Sequence, residues 1–199
     1  MTAAPFRFET LGKAHDRTSF HCGEDALDRY FRTQVTQDIC RRITNCFVVV
    51  EAAAGSVAAY YTLSAAIMPL TDLPPEEGER LPRYPALPAV RISRLAVDRR
   101  FQRRGLGELM LMNAVHRTMQ DAAAAFTLLV DAKNDQAVAF YRRYGFRPIA
   151  GKPRTLFLPL ATAQKTLLPK RAIENAINAS ATIPRRLRPP RDVCHPPGS

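Results

Sequence analysis

The chain has 199 residues, 46% of them hydrophobic, enough to bury one sizeable core, so a single domain is the default reading. No apolar run approaches a membrane span and the N-terminus lacks the charged-then-apolar layout of a secretory leader, which argues against a membrane partner and for the cytoplasm. A formal charge of +11 at pH 7 favours an acidic partner: nucleic acid, a phosphorylated cofactor or an acidic protein.

The basic balance is not confined to the C-terminal end. Residues 161–199 hold seven Lys or Arg against Glu174 and Asp192, which leaves +6 on the first 160 residues. Cys22, Cys40, Cys46 and Cys194 show no Cys-x-x-Cys pairing and read as reduced thiols rather than a disulfide framework. His195 beside Cys194 is too small a set of ligands for a metal, and no metal site is expected.

Phe6 to Leu11 reads as a first strand. From Phe20 the chain enters a helix in which Leu27, Phe31, Val35 and Ile39 recur every fourth residue, one apolar stripe. Arg29, Arg32, Gln37 and Arg41 or Arg42 fall on its opposite, solvated face. Cys46 to Glu51 is a β-branched strand, Ala54-Gly55-Ser56 a turn, and Val57 to Ala65 the hairpin partner. Between Pro69 and Pro88 lie six prolines and mixed charge, which read as one long loop. Set just before the central strand, it is a candidate wall for an acceptor, and Arg80, Arg83 and Tyr84 are the side chains there that could meet a phosphate or a base.

Arg91 to Asp98 reads as a buried strand, Arg99 to Gly107 as a basic glycine turn, and Leu106 to about Met119 as an amphipathic helix. Strand, turn and helix in that order aim several unpaired N–H groups, and the positive end of a helix dipole, at one spot suited to phosphate oxygens. Gly105 and Gly107 permit close backbone approach or the positive φ such a turn often needs. On these residues alone an ordinary strand–turn–helix connection explains the stretch equally well. A P-loop is excluded, and a dinucleotide fingerprint fails because Met110 stands where its third small residue belongs.

Phe126 to Ala132 is a continuous apolar strand of a covered sheet. Asn134 or Asp135 then caps a helix carrying Ala137, Phe140, Tyr141 and Tyr144, closed by Gly145 with Pro148 beyond. Thr155 to Leu160 is a closing strand whose proline marks an edge or an end. The expected boundary is a domain over 1–160 and a basic Pro/Arg-rich extension over 161–199, disordered in part; its last stretch, 184–199, holds five prolines and four arginines.

Gln102-Arg-Arg-Gly105-Leu-Gly107 together with Asn134…Ala137…Phe140-Tyr141…Gly145-Phe146 resembles the acetyl-CoA-binding motifs of the GNAT N-acetyltransferases, in the right order and each on its proper element. The resemblance implies an α/β GNAT acyl-CoA N-acyltransferase fold, a mixed, mostly antiparallel sheet flanked by helices, with acetyl-CoA as cofactor. It implies that Leu95, Ala96 and Val97 lend backbone groups to the pantetheine arm, the cofactor lying as an extra strand beside a splayed neighbour. Gln102, Arg103, Arg104, Gly105, Leu106 and Gly107 would hold the diphosphate, Arg103 and Arg104 adding charge-assisted contacts. Tyr141 takes the family's general-acid position toward the leaving thiolate; read without the family it is a core aromatic like Phe140 and Tyr144. Asn134 either orients the cofactor arm or simply caps its helix.

No carboxylate stands out as a general base. An α-amine near 7.7–8.0 needs little help to be neutral, a lysine amine near 10.4 a great deal. Phe20-x-Cys22-Gly23-x-x-x-Leu27-Asp28, Tyr60-Tyr61-Thr-Leu-Ser64, Leu81-Pro-Arg83-Tyr84-Pro85 and Arg94-Leu-Ala-Val-Asp98 are similar to the GNAT toxins of bacterial toxin–antitoxin pairs, over about residues 6–160. That similarity implies acetylation of the α-amine of aminoacyl-tRNA, a block to translation, and a ribbon-helix-helix antitoxin as partner. Arg83, Tyr84, Arg91 and Arg94 are the substrate-binding candidates, and monomer and homodimer stay open. A GNAT acting on a protein or small-molecule amine, or a non-catalytic basic RNA- or partner-binding module on the same fold, are the rival readings.

Overall fold

The computed structural model describes residues 5–81, 84–120 and 124–166. Seven strands form one sheet in the order β1-β2-β3-β4-β5-β7-β6, mixed and mostly antiparallel, with β4 and β5 the parallel neighbours. The strands are β1 (Phe6–Thr10), β2 (Asn45–Glu51), β3 (Val57–Pro69), β4 (Ala86–Val97), β5 (Thr127–Asp131), β6 (Arg147–Ile149) and β7 (Lys152–Pro159). The helices are α1 (Asp25–Arg29), α2 (Val35–Cys40), α3 (Pro75–Gly78), α4 (Leu106–Gln120), α5 (Asp135–Arg143) and α6 (Leu160–Thr166). Among the described residues the chain divides into two compact units, one running through Leu63 and again over Arg94–Leu111, the other over Ser64–Ser93 and from Met112 to the last described residue.

The first unit is built on the predicted stripe. Phe31, Val35 and Ile39 are buried and Leu27 packs beside them, against Val48, Val50, Tyr60 and Ala96 of the strands. Phe20, Phe31 and Tyr60 form its aromatic centre; Phe31 and Tyr60 stack at 4.1 Å. Arg29, Arg32, Gln37 and Arg41 are exposed, as a solvated face requires. The helix is not continuous: a π-turn over Tyr30–Gln34 separates α1 from α2. Val35 N–H reaches the Tyr30 carbonyl, so the Phe31 carbonyl loses its usual donor four residues on. Arg17 supplies one from outside the helix, its Nη1 donating to Phe31 O at 3.0 Å and to Thr36 Oγ1 at 2.9 Å.

The second unit has its own core, in which Met68, Leu87, Ala89, Leu129, Ile149 and Phe157 pack together. Here the 69–88 reading needs correction. β3 runs on to Pro69, a 3-10 turn spans Leu70–Asp72, α3 follows, and β4 already begins at Ala86, with Pro88 exposed inside it. Proline and charge hid these elements, but Leu73, Leu81 and Leu87 give the segment apolar anchors on the core. Ion pairs tie it down as well, Lys152 to Asp72 at 3.0 Å and Arg147 to Glu77 through both carboxylate oxygens. Arg83 lies outside the described residues.

Two smaller differences follow from packing. β6 was not foreseen, being only three residues; it pairs β7, so Pro159 marks the end of β7 and not an edge. Cys22 and Cys46 are free and buried, and Cys194 lies outside the described residues. The first residues after Leu160 belong to α6, with Ala163 fully buried, while 167–199 fall outside the described residues.

Candidate active site

Two buried carboxylates shape the corner that follows β4. Asp98 is 1% exposed and accepts the Arg100 amide at 3.0 Å, two bonds from the Arg100 guanidinium, and the His21 amide at 3.0 Å. Burial by itself would raise its carboxyl, but these donors hold it below the ordinary carboxylate range. Asp28, equally buried, accepts the Cys22 amide at 2.8 Å and His21 Nδ1 at 2.6 Å. Burial again pushes it up, and the Cys22 and His21 hydrogen bonds bring it down overall.

Gly23 follows Cys22 at φ +95°, where a Cβ would stand 2.7 Å from Arg99 Nε. The Arg99 amide closes the arrangement on the His21 carbonyl at 2.9 Å. Asp28 closes the Phe20–Asp28 motif and Asp98 the Arg94–Asp98 motif, and the sequence pattern assigns neither carboxylate a role. Asp98 takes three bonds from Arg100, two residues on, and Asp28 takes its bonds from His21 and Cys22, seven and six residues back. Only the His21 amide reaches Asp98 from far away, across 77 residues, and local pattern carries no record of that bond.

The turn itself is left-handed at Arg103 (φ 62°) and Gly105 (φ 77°). Gly107 instead sits in the first turn of α4, so the positive-φ expectation holds for Gly105 and passes from Gly107 to Arg103. Gln102 Nε2 donates to Cys22 O at 2.9 Å and Val97 O at 3.1 Å, so its side chain fastens the corner to the end of β4. Among the described residues the N–H groups of Arg103 to Glu108 find no protein acceptor. Nothing lies within 4 Å of the position a Gly105 Cβ would take. Open space faced by unpaired amides at the start of a 15-residue helix suits a diphosphate. Arg103 and Arg104 are exposed, and the Arg104 guanidinium rests 5.4 Å over the Phe101 ring.

β4 and β5 pair only from Ala89↔Thr127 to Ile92↔Val130. Among the described residues, positions 93–97 of β4, Leu95, Ala96 and Val97 among them, run on with no β5 partner. Ala96 turns its side chain into the first core, and the Asp98 amide bonds Ala58 O at 2.9 Å.

In the second unit α5 is capped as expected, the Asn134 side chain accepting the Ala137 amide at 2.9 Å. Tyr141 is its buried residue, 8% exposed, whereas Phe140 and Tyr144, read as core, are only half-buried. The Tyr141 ring lies 5.2 Å from Phe140 and 5.4 Å from Phe146. Burial pushes its phenol up to about 12. Among the described residues its hydroxyl has no hydrogen-bond partner. The other buried tyrosines with described bonds differ: Tyr30 donates to Asp38 at 2.9 Å and Tyr60 to Leu27 O at 2.9 Å.

The remaining candidates separate. Arg94 shares the first unit with Leu95 to Gly107, and its guanidinium lies 3.4 Å over the Tyr30 ring. Arg91, Tyr84, Asn134 and Tyr141 belong to the second. Arg91 pairs with Asp131, which also accepts Thr155 Oγ1 at 2.9 Å, while Tyr84 is exposed. Among the described residues no helix is long and apolar enough to cross a membrane.

Residues 83–156 match the acetyltransferase (GNAT) domain model. A tRNA-acetylating toxin of Mycobacterium tuberculosis is 33% identical over 156 residues, covering 77% of this chain and 92% of the relative. AtaT complexed with acetyl-methionyl-tRNAfMet superposes with a TM-score of 0.75 at 27% identity, over 81% of this chain and 99% of that one. AtaTR bound with AcCoA gives 0.71 at 27% identity, over 82% and 98%. A third structure, an AtaT variant bound to the C-terminus of the antitoxin AtaR, gives 0.68 at 25% identity, over 81% and 98%. Fold, corner and relatives agree, and the chain belongs to the GNAT N-acetyltransferases, within their toxin branch.

Proposed function

We propose that this enzyme transfers acetyl from acetyl-CoA to the α-amine of aminoacyl-tRNA and so blocks translation. The observation that carries the reading is the Tyr141 hydroxyl, in a buried phenol yet without a hydrogen-bond partner among the described residues, on the helix where the family keeps its acid. The diphosphate goes to the amides of Arg103 to Gly107 with Arg103 and Arg104 beside them, and the pantetheine arm to the unpaired edge of Leu95, Ala96 and Val97. Asn134 caps the start of the Tyr141 helix.

The neutral amine attacks the thioester carbonyl carbon, the carbon–sulfur bond breaks, and the amine gives up a proton as the thiol gains one. A phenol at about 12 is too weak an acid to transfer its proton outright to a thiolate near 8.5. Its role is to donate a hydrogen bond that stabilises the thiolate while the proton shed by the new amide arrives. An α-amine is largely neutral near pH 8, so the lack of a dedicated base fits this acceptor.

An acidic ribbon-helix-helix antitoxin is the proposed partner of this basic chain, a homodimer the proposed assembly, and the cytoplasm, where charged tRNA is found, the place of action. Incubating the full chain with acetyl-CoA and charged tRNA, then reading acetyl-aminoacyl-tRNA by mass spectrometry, tests the reading. Acetylated protein lysines with unmodified tRNA would overturn it.

A further inference from the structure

Arg94 is held in a way the acetyl donor does not explain. Its guanidinium carbon lies over Tyr30, 3.4 Å from the ring centre, and among the described residues its N–H groups meet no acceptor. The ring beneath is fixed from two sides. Its hydroxyl donates to Asp38 at 2.9 Å, and its backbone lies in the π-turn that Arg17 braces through the Phe31 carbonyl. A planar cation pinned on an aromatic face, with its donors unspent and its edge half exposed, is prepared for a planar pair of anionic oxygens.

The register separates it from the diphosphate site. Arg94 precedes Asp98 by four residues, about 13 Å along a strand. It lies within the stretch of β4 that has no β5 partner, on the side of Ala96 away from the corner. We propose that Arg94, spread over Tyr30, reads the acceptor by binding a phosphodiester at the 3′ end of the charged tRNA, one nucleotide from the reacting amine. The inference rests on aminoacyl-tRNA being the acceptor. Arg94 is then a substrate-binding residue, and Tyr30 and Asp38 are positioning residues.

The test uses the full chain and Arg94→Lys and Arg94→Gln variants, with folding checked by thermal melting. Three readouts are taken: KM and kcat for charged tRNA, acetylation of a methionine ester that carries no phosphate, and anisotropy binding of a labelled CCA trinucleotide. Both variants should raise KM for charged tRNA about tenfold and weaken trinucleotide binding by a similar factor, lysine less than glutamine. Acetyl-CoA affinity and turnover of the ester should stay within twofold. Equal losses on ester and tRNA, or unchanged trinucleotide binding, overturn the role of Arg94. Should the unsubstituted enzyme modify the ester and not the tRNA, the acceptor assignment fails instead, and the trinucleotide arm still decides whether Arg94 binds phosphate.

Discussion

The His21 amide donates to the Asp98 carboxylate at 3.0 Å across 77 residues of chain, and one residue further on the Arg99 amide returns the bond to the His21 carbonyl at 2.9 Å. The segment ahead of α1 and the turn after β4 are thereby latched to each other. The turn proposed to offer its amides to the cofactor is fixed in this way to a segment far away in the chain. Its rigidity rests on a buried charge, which makes it sensitive to acid.

Asp98→Asn should lower stability by about 2–3 kcal/mol near neutrality, since it leaves Arg100 and the His21 amide with a weaker acceptor in a buried place. The sign with pH is fixed by depressed carboxyls at Asp98 and Asp28. Their stabilisation is complete above the unfolded value near 3.9 and is lost as pH falls through the lower folded values. Melting temperature should therefore drop below about pH 4, and less steeply in the asparagine variant. An acid limb of unchanged slope in that variant would remove Asp98 from this role.

Tyr141→Phe should keep the fold and acetyl-CoA affinity and reduce turnover about a hundredfold, because it deletes one hydrogen-bond donor and no packing. Single-turnover acetylation alongside calorimetry separates the two effects. Loss of coenzyme binding would mean that the phenol is structural.

The pH profile follows from the same residue. With its pKa raised to about 12, Tyr141 stays protonated across the working range, so it contributes no descending limb below about pH 9. Turnover on charged tRNA should rise with the ionisation of the acceptor amine and then level, with a midpoint at or below the α-amine value of about 8. A midpoint near 10 would indicate a lysine-like acceptor.

Gly105→Val should weaken acetyl-CoA binding at least tenfold. A β-branched residue at φ 77° is strained by about 1–2 kcal/mol. Nothing within 4 Å of the added Cβ forces unfolding, so the expected damage is to the cradle rather than to the fold. Isothermal titration with a melting curve on the same sample checks both halves. Gly105→Ala should fall between.

The sequence by itself determined most of what is local. The Leu27-Phe31-Val35-Ile39 stripe, the β-branched run at Cys46–Glu51, the Asn134 cap and the glycine turn before α4 each follow from periodicity or turn chemistry within a few residues, and all four stand in the structure. The family motifs carried the fold, because they sit on those same local elements. Only the tertiary structure decided which polar groups are spoken for. Gln102 ties the corner to the Cys22 carbonyl, Arg91 is engaged with Asp131, Asp98 accepts the His21 amide from 77 residues away, and among the described residues Arg94 and Tyr141 are left with their donors unspent. A buried charge or phenol is satisfied by whatever the folded chain brings beside it. That pairing crosses tens of residues, and no window of sequence contains it.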